Sequence, residues 1–284
     1  MSVSAPQTTW LTAADGVKLF VRRYVPQSRF QNRALLWCHG VGEHGGRYDH
    51  VVAEFLARGW QVILPDLRGH GRSEGLRTDV ASFDVYLDDF DLVAREYALE
   101  PDRTALFGHS MGALVMIRFA QTRPRGWGAL ALSAPLLGVA VPIPWWKWQV
   151  GRLLARLAPR THLKTGIRED NLTADPAFLA ARRADPMIQR TVTVRWFFAM
   201  LAALQAAYSD APKLTLPILI LQGLADRTTD PQAPAAWLRT TRSVDPRLIE
   251  FPEGLHEILN DREWRTGHAA LADWLDQHVR PTAL

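Results

Sequence analysis

Short apolar runs alternate with longer stretches in which apolar residues recur every three to four positions, over most of the 284-residue chain. The runs Lys18–Val25, Ala34–Cys38, Gln61–Pro65, Thr104–Phe107 and Gly128–Ser133 predict strands. Between them, helices are predicted near Tyr48–Arg58, through Asp89 to Tyr97 and over Met111–Gln121, with a polar loop at Leu67–Thr78. The alternation resumes with a strand at Pro217–Leu221, a helix near Pro231–Thr241, a strand at Arg247–Phe251 and a last helix over Asp261–Gln277. Strands alternating with helices of this length predict an α/β fold with a parallel sheet covered on both faces. Such a sheet holds its functional groups in loops at the carboxyl ends of its strands.

Residues 135–211 break the pattern. No run in them reads as a strand, and helix starts are expected at Asp175-Pro176 and Asp185-Pro186, where Asp caps and Pro takes the first helical position. The stretch is expected to form a helical cap over the carboxyl edge of the sheet, with 1–134 and 212–284 making up the core domain. Trp146, Val150, Leu153, Leu154 and Leu157 share one face at helical spacing, and Arg152, Arg156, Trp145 and Gln149 lie to another side. That apolar face packs over the core, meets a lipid surface, or divides between the two. Trp145, Trp146, Trp196, Phe197 and Met200 are the expected walls of a substrate pocket.

Composition narrows the class. Hydrophobic residues are 48% and charged residues 22%, the balance of a soluble globular protein. The net charge is +4 and nearly all of the positive charge is arginine, with lysine only at 18, 147, 164 and 213. These cations are interleaved with acids apart from one local cluster, Arg152, Arg156 and, if its helix runs past Pro159, Arg160, so a solvated surface is expected and nucleic acid is not an expected partner. The N-terminal Met-Ser-Val-Ser has neither the basic start nor the apolar run of a leader, and no apolar stretch reaches the ~18–20 residues that span a bilayer. One cysteine, Cys38, makes no internal disulfide. A cytoplasmic protein is expected, with transient contact to a membrane or micelle surface through the cap.

The chemistry is concentrated in three loops. Gly108-His109-Ser110-Met111-Gly112 sits between a predicted strand and a predicted helix, a sharp turn that presents a serine hydroxyl above the sheet. A serine nucleophile needs a base, and the base an orienting acid. With this turn the acid and then the histidine follow the serine along the chain. Asp226 lies just beyond the strand Pro217–Leu221, and His256 follows the strand Arg247–Phe251, so both reach the edge that carries Ser110. Asp230 is the rival acid, but it reads as a helix cap before Pro231. Backbone N–H groups of Met111 and of Val41, in the glycine-rich loop after Cys38, are the expected oxyanion donors.

Competing motifs fall away. Gly40, Gly42 and Gly45 imitate a dinucleotide fingerprint with Asp66 as its acid, but this leaves Ser110 and His256 without a role. His256-Glu257 is followed by Asn260 where a zinc motif needs histidine, so neither metal nor cofactor is expected. Asp66, Arg68 and His70 read as a loop held by local hydrogen bonds. Hydrolases with a carboxylate nucleophile would require Asp at position 110.

The sequence resembles the monoacylglycerol lipase and lysophospholipase branch of the α/β hydrolases, which are serine aminopeptidase-like enzymes. The resemblance rests on the segments 39–48, 66–73, 108–112 and 221–226 and on the segment around His256, and it covers about residues 12–275. Its sharpest element is Gly42-Glu43-His44 followed by Gly46-Arg47-Tyr48. It implies an eight-stranded, mostly parallel sheet with a helical cap inserted after the sixth strand, and cleavage of a fatty acyl ester. It also implies Ser110, Asp226 and His256 as triad, with Val41 and Met111 as oxyanion donors. Monoacylglycerol is the expected substrate. Lysophospholipase or carboxylesterase activity stands next, then peptidase, acyltransferase or cofactor-free haloperoxidase activity. A binding protein on this scaffold would be expected to lack one of the three.

Overall fold

The computed structural model describes residues 5–27, 30–138 and 144–281. The first four residues and 139–143 of the expected cap lie outside these. Chain order is β1 (Gln7–Thr12), β2 (Lys18–Tyr24), β3 (Arg33–Cys38), α1 (Asp49–Ala57), β4 (Trp60–Pro65), α2 (Asp84–Glu96), β5 (Thr104–His109), α3 (Met111–Thr122) and β6 (Ala129–Ser133). The inserted segment follows, with α4 (Trp145–Leu157), β7 (His162–Lys164), α5 (Pro176–Ala184), β8 (Thr191–Thr193) and α6 (Val194–Ser209). The chain then completes the sheet with β9 (Ile218–Gly223), α7 (Ala233–Leu238), β10 (Pro246–Phe251) and α8 (Trp264–His278).

Eight strands form one sheet in the order β1-β2-β4-β3-β5-β6-β9-β10. The β1–β2 and β2–β4 pairs are antiparallel and the rest are parallel. Strands β3, β4, β5, β6 and β9 are buried at every position, which is why they read as continuous apolar runs rather than alternations. Successive side chains still go to opposite faces. Leu36, Ile63, Leu106 and Ile220 join a core with α2, α3 and α6, whereas Leu35, Val62, Phe107 and Leu221 join another with α1 and α8. The register pairs Cys38 with Gly108, His109 with Ser133, and Gly223 with Phe251, so these strands end nearly level. The loops that follow them therefore share one edge.

Three expectations need correction. Strand β1 is absent from the sequence reading because five of its six residues are exposed, and a half-solvated edge strand carries no apolar pattern. The inserted segment does hold strands, the antiparallel pair β7–β8; each is three residues long, too short for periodicity to register. Asp175 caps α5 as expected, accepting from the N–H groups of Ala177 and Phe178, but no helix starts at Asp185. Asp185 instead ends α5, accepts from Met187 N and meets His44 Nε2 at 2.7 Å.

Candidate active site

Ser110 stands between β5 and α3 with φ 53° and ψ −118°, a conformation a non-glycine residue holds only under constraint. The constraint is steric. A Cβ at position 108 would lie 2.4 Å from Gly112 O, and one at 112 would lie 2.3 Å from His39 O and 2.4 Å from Cys38 O. Strand, helix and the glycine-rich loop thus close on each other with no room for a methyl group. Gly112→Ala is expected to reduce unfolding free energy by about 1–3 kcal/mol and to lower ester turnover by displacing the loop after β3. Urea denaturation and steady-state turnover together check this; wild-type values in both would refute it.

The three predicted side chains meet. Ser110 Oγ lies 2.8 Å from His256 Nε2, and His256 Nδ1 lies 2.7 Å from Asp226 Oδ2. Asp226 Oδ2 also accepts from Thr229 Oγ1 at 2.7 Å, and its Oδ1 accepts from the N–H groups of Thr228 and Thr229 at 2.7 and 3.2 Å. Burial acts to raise the Asp226 pKa, but the charge and hydrogen bond of His256, with those further donors, hold it below the usual carboxylate range. An ionised Asp226 only accepts, so Nδ1 carries the histidine proton and Nε2 is free to accept from Ser110. Asp230 is not part of this chain of bonds. It accepts from Gln232 N at 2.9 Å in a turn, and α7 begins only at Ala233.

The loop after β3 reaches Ser110 directly: a Cβ at Gly40 would sit 3.4 Å from Ser110 Cβ and 3.2 Å from His109 Cδ2. Val41 follows it. Met111 opens α3, in the first turn where N–H groups lack intrahelical acceptors and the helix dipole favours negative charge. Neither the Val41 nor the Met111 N–H donates to another described residue. The loop at Asp66–His70 is held by hydrogen bonds. Asp66 accepts from Arg22, Gly45 N and Arg72 N, while Arg68 is forked onto Asp89.

A buried charge cluster beside the three side chains escaped the sequence reading. Arg47 donates to Glu43 and, at 2.7 and 3.1 Å, to both oxygens of Glu257, the residue after His256. Glu43 in turn accepts from Gly40 N at 2.6 Å and Tyr48 OH at 2.7 Å. Arg182 of α5 reaches Glu257 Oε1 at 3.4 Å, and Glu257 N donates to Leu172 O. Desolvation opposes both carboxylates, but the guanidinium charges outweigh it and hold Glu43 and Glu257 well below the ordinary carboxyl range. The i, i+4 spacing of Glu43 and Arg47 was visible; that both are buried was not. His109, with its ring 5.0 Å from that of His256, is pushed down to about 4 by burial and by its neighbour's charge, and is neutral at pH 7.

The expected pocket residues divide. Trp196 and Met200 lie in the main core, with Trp196 Nε1 donating to Tyr86 OH at 3.1 Å, so Trp196 packs α6 against α2. Phe197 is half-buried against that core and against Trp148 of α4. Trp145 and Trp146 are exposed. The apolar stripe of α4 does not pack over the core: Trp146, Val150, Leu153 and Leu157 face outward, and Trp148 and Gly151 face Phe198. Helical period reveals that an apolar face exists but not which way it points.

The model of the serine aminopeptidase, S33 family (Hydrolase_4) matches residues 31–263. Monoglyceride lipase of Mus musculus is 32% identical over 258 residues, 88% of this chain and 83% of that protein. Monoacylglycerol lipase of Mycolicibacterium smegmatis is 28% identical over 269 residues, 93% of this chain and 95% of that one. The crystal structure of Paleococcus ferrophilus monoacylglycerol lipase superposes with a TM-score of 0.84 at 27% identity, covering 92% of this chain and 99% of that one. Sheet order, the turn at Ser110 and the family match agree, and the chain belongs to the serine aminopeptidase S33 (Hydrolase_4) family of the α/β hydrolases.

Proposed function

We propose that this protein is a serine esterase that hydrolyses single-chain lipid esters, first among them monoacylglycerols, to fatty acid and glycerol. The observation that carries this is the Ser110–His256–Asp226 chain of hydrogen bonds at a strained turn, in a chain whose relatives are named monoacylglycerol lipases. His256 takes the Ser110 proton as the hydroxyl attacks the ester carbonyl, and Asp226 steadies the resulting imidazolium. The N–H groups of Val41 and Met111 receive the oxyanion; losing one such donor typically costs about 3–4 kcal/mol of transition-state stabilisation. Glycerol departs with the proton from His256, and water repeats the steps on the acyl-enzyme.

Residues 135–211 act as the cap in this reading, with Phe197 of α6 against the acyl chain. The buried Trp196 and Met200 serve it only by shaping α6. Exposed Trp145 and Trp146 suit transient contact with a lipid surface. Among the described residues no helix is long and apolar enough to cross a membrane. The family's aminopeptidase description invites a second reading. A free substrate ammonium would seek an unpaired carboxylate, however, and the nearby Glu43 and Glu257 are both tied to Arg47. Fatty-acid release from a medium-chain 1-monoacylglycerol is expected from the wild type and is expected to fall at least 10⁴-fold in Ser110→Ala. A wild type active only on small activated esters would keep the nucleophile and remove the lipid assignment.

A further inference from the structure

We propose that Asp261 is a positioning residue for His256, pinning the loop of that histidine to the inserted segment. This rests on the serine-esterase reading and names what holds the base of that reaction in place. Asp261 is buried and stands three residues before α8. An aspartate so placed ordinarily caps the helix by accepting from its first N–H groups. Asp261 instead turns its carboxylate back. Oδ2 accepts from Leu255 N, directly before His256, at 2.9 Å. Oδ1 accepts from Ala174 N of the inserted segment at 2.7 Å and from Arg262 N at 2.9 Å.

The result is one peptide plane held at both ends. The peptide between Gly254 and Leu255 is planar and rigid. Its oxygen accepts from Ala225 N, next to Asp226, at 3.1 Å, and its N–H is the one that Asp261 binds. A single rigid unit therefore sets how the His256 loop lies against the Asp226 loop. On the far side of His256, Glu257 N donates to Leu172 O at 2.8 Å, so the amides flanking the histidine are both tied. Thr173 joins the same bracket. Its buried hydroxyl donates to Asn260 O at 2.7 Å and accepts from Asp175 N at 3.0 Å. A local role for Asp261 would need only its own turn. A carboxylate shared between Ala174 and Leu255 joins the inserted segment to the base.

The test is Asp261→Asn, assayed on a soluble p-nitrophenyl ester. The asparagine keeps one oxygen for Ala174 N and Arg262 N and sets its amide against Leu255 N, so the joint opens on the histidine side. Turnover per reactive site, counted by titrating Ser110 to completion with an organophosphate, is expected to fall about 10²-fold, the scale of a misplacement of about 1 Å. KM is expected to change less than about twofold. A displaced imidazolium loses part of its attraction to Asp226, so the acid limb of kcat/KM is expected to move to lower pH. The other titratable groups around His256, namely His109, Glu43 and Glu257, are unaltered by the change. Loss of folded enzyme would lower the amplitude and leave that limb in place. Thr173→Val, which removes the bond to Asn260 O, is expected to show a smaller fall with the limb moved the same way, and it carries the test if Asp261→Asn does not fold. Wild-type turnover per site, or lowered turnover with an unmoved limb, would overturn the proposal. Ser110→Ala, run in parallel, separates the two layers. If it abolishes turnover, a negative result in the other variants removes the positioning role alone; if turnover survives it, the serine-esterase reading fails.

Discussion

Asp226→Asn is expected to lower turnover about 10⁴-fold with KM changed far less, the magnitude of the equivalent change in a serine protease triad. The surroundings of Asp226 dictate how. Its Oδ1 accepts from two backbone N–H groups, Thr228 and Thr229, while Oδ2 faces His256 Nδ1. An asparagine must leave its carbonyl oxygen toward those two donors, because its amide group there would oppose them. The amide then faces His256 Nδ1 and donates to it. The histidine proton moves to Nε2, where it points at Ser110 and cannot accept the hydroxyl proton. Nothing in this requires the fold to change, so thermal unfolding remains cooperative while turnover collapses. Steady-state kinetics on a soluble ester, with Asp230→Asn in parallel, checks it. Full activity in Asp226→Asn, with loss in Asp230→Asn, would transfer the role to Asp230.

Arg47→Met is expected to lower unfolding free energy by about 3–5 kcal/mol at neutral pH, the usual consequence of stranding a buried ionic partner. Two carboxylates are stranded here, one anchoring the loop after β3 through Gly40 N and one adjoining His256, so turnover is expected to fall as well. The pH dependence has a definite sign. In the wild type both carboxyls are held below their ordinary value, so their contribution is complete above pH ~4.3 and is lost as pH falls through the depressed folded values. Without Arg47, desolvation dominates and their pKa values rise above ordinary. The penalty is then largest at neutral pH and is relieved on acidification, as each carboxyl takes up a proton. The stability gap between variant and wild type therefore narrows from pH 7 to pH 4. Arg47→Lys recovers part of the neutral-pH loss, because a single ammonium restores the charge without the fork that spans Glu43 and both Glu257 oxygens. Urea midpoints across that range measure the gap; parallel curves would refute the pairing argument.

Much of the site was legible because its signals are local. The turn at Ser110 carries its own glycines, and their steric reason, contact with carbonyl oxygens of β3 and α3, is the same at both positions. Asp226 and His256 could be placed because each follows an apolar run that ends at one edge of the sheet. The reading failed where it depended on direction or depth. Trp196 and Met200 look like any apolar pair on a helix, and only the tertiary structure shows that both are buried in the main core, with Trp196 bonded to Tyr86 of α2. Asp185-Pro186 has the chemistry of a helix start, but the aspartate is committed to His44 and to its own turn.

The sequence by itself determined the strand–helix alternation and the edge at which Ser110, Asp226 and His256 converge. Periodicity, turn chemistry and charge are written in neighbouring residues, so no packing is needed to see them. Only the tertiary structure decided that Glu43, Arg47, Arg182 and Glu257 are buried together and that the apolar stripe of α4 faces away from the protein. Burial and facing depend on contacts between residues 4 to 210 positions apart, such as Arg47 with Glu43 and with Glu257, and a one-dimensional pattern does not specify which elements meet.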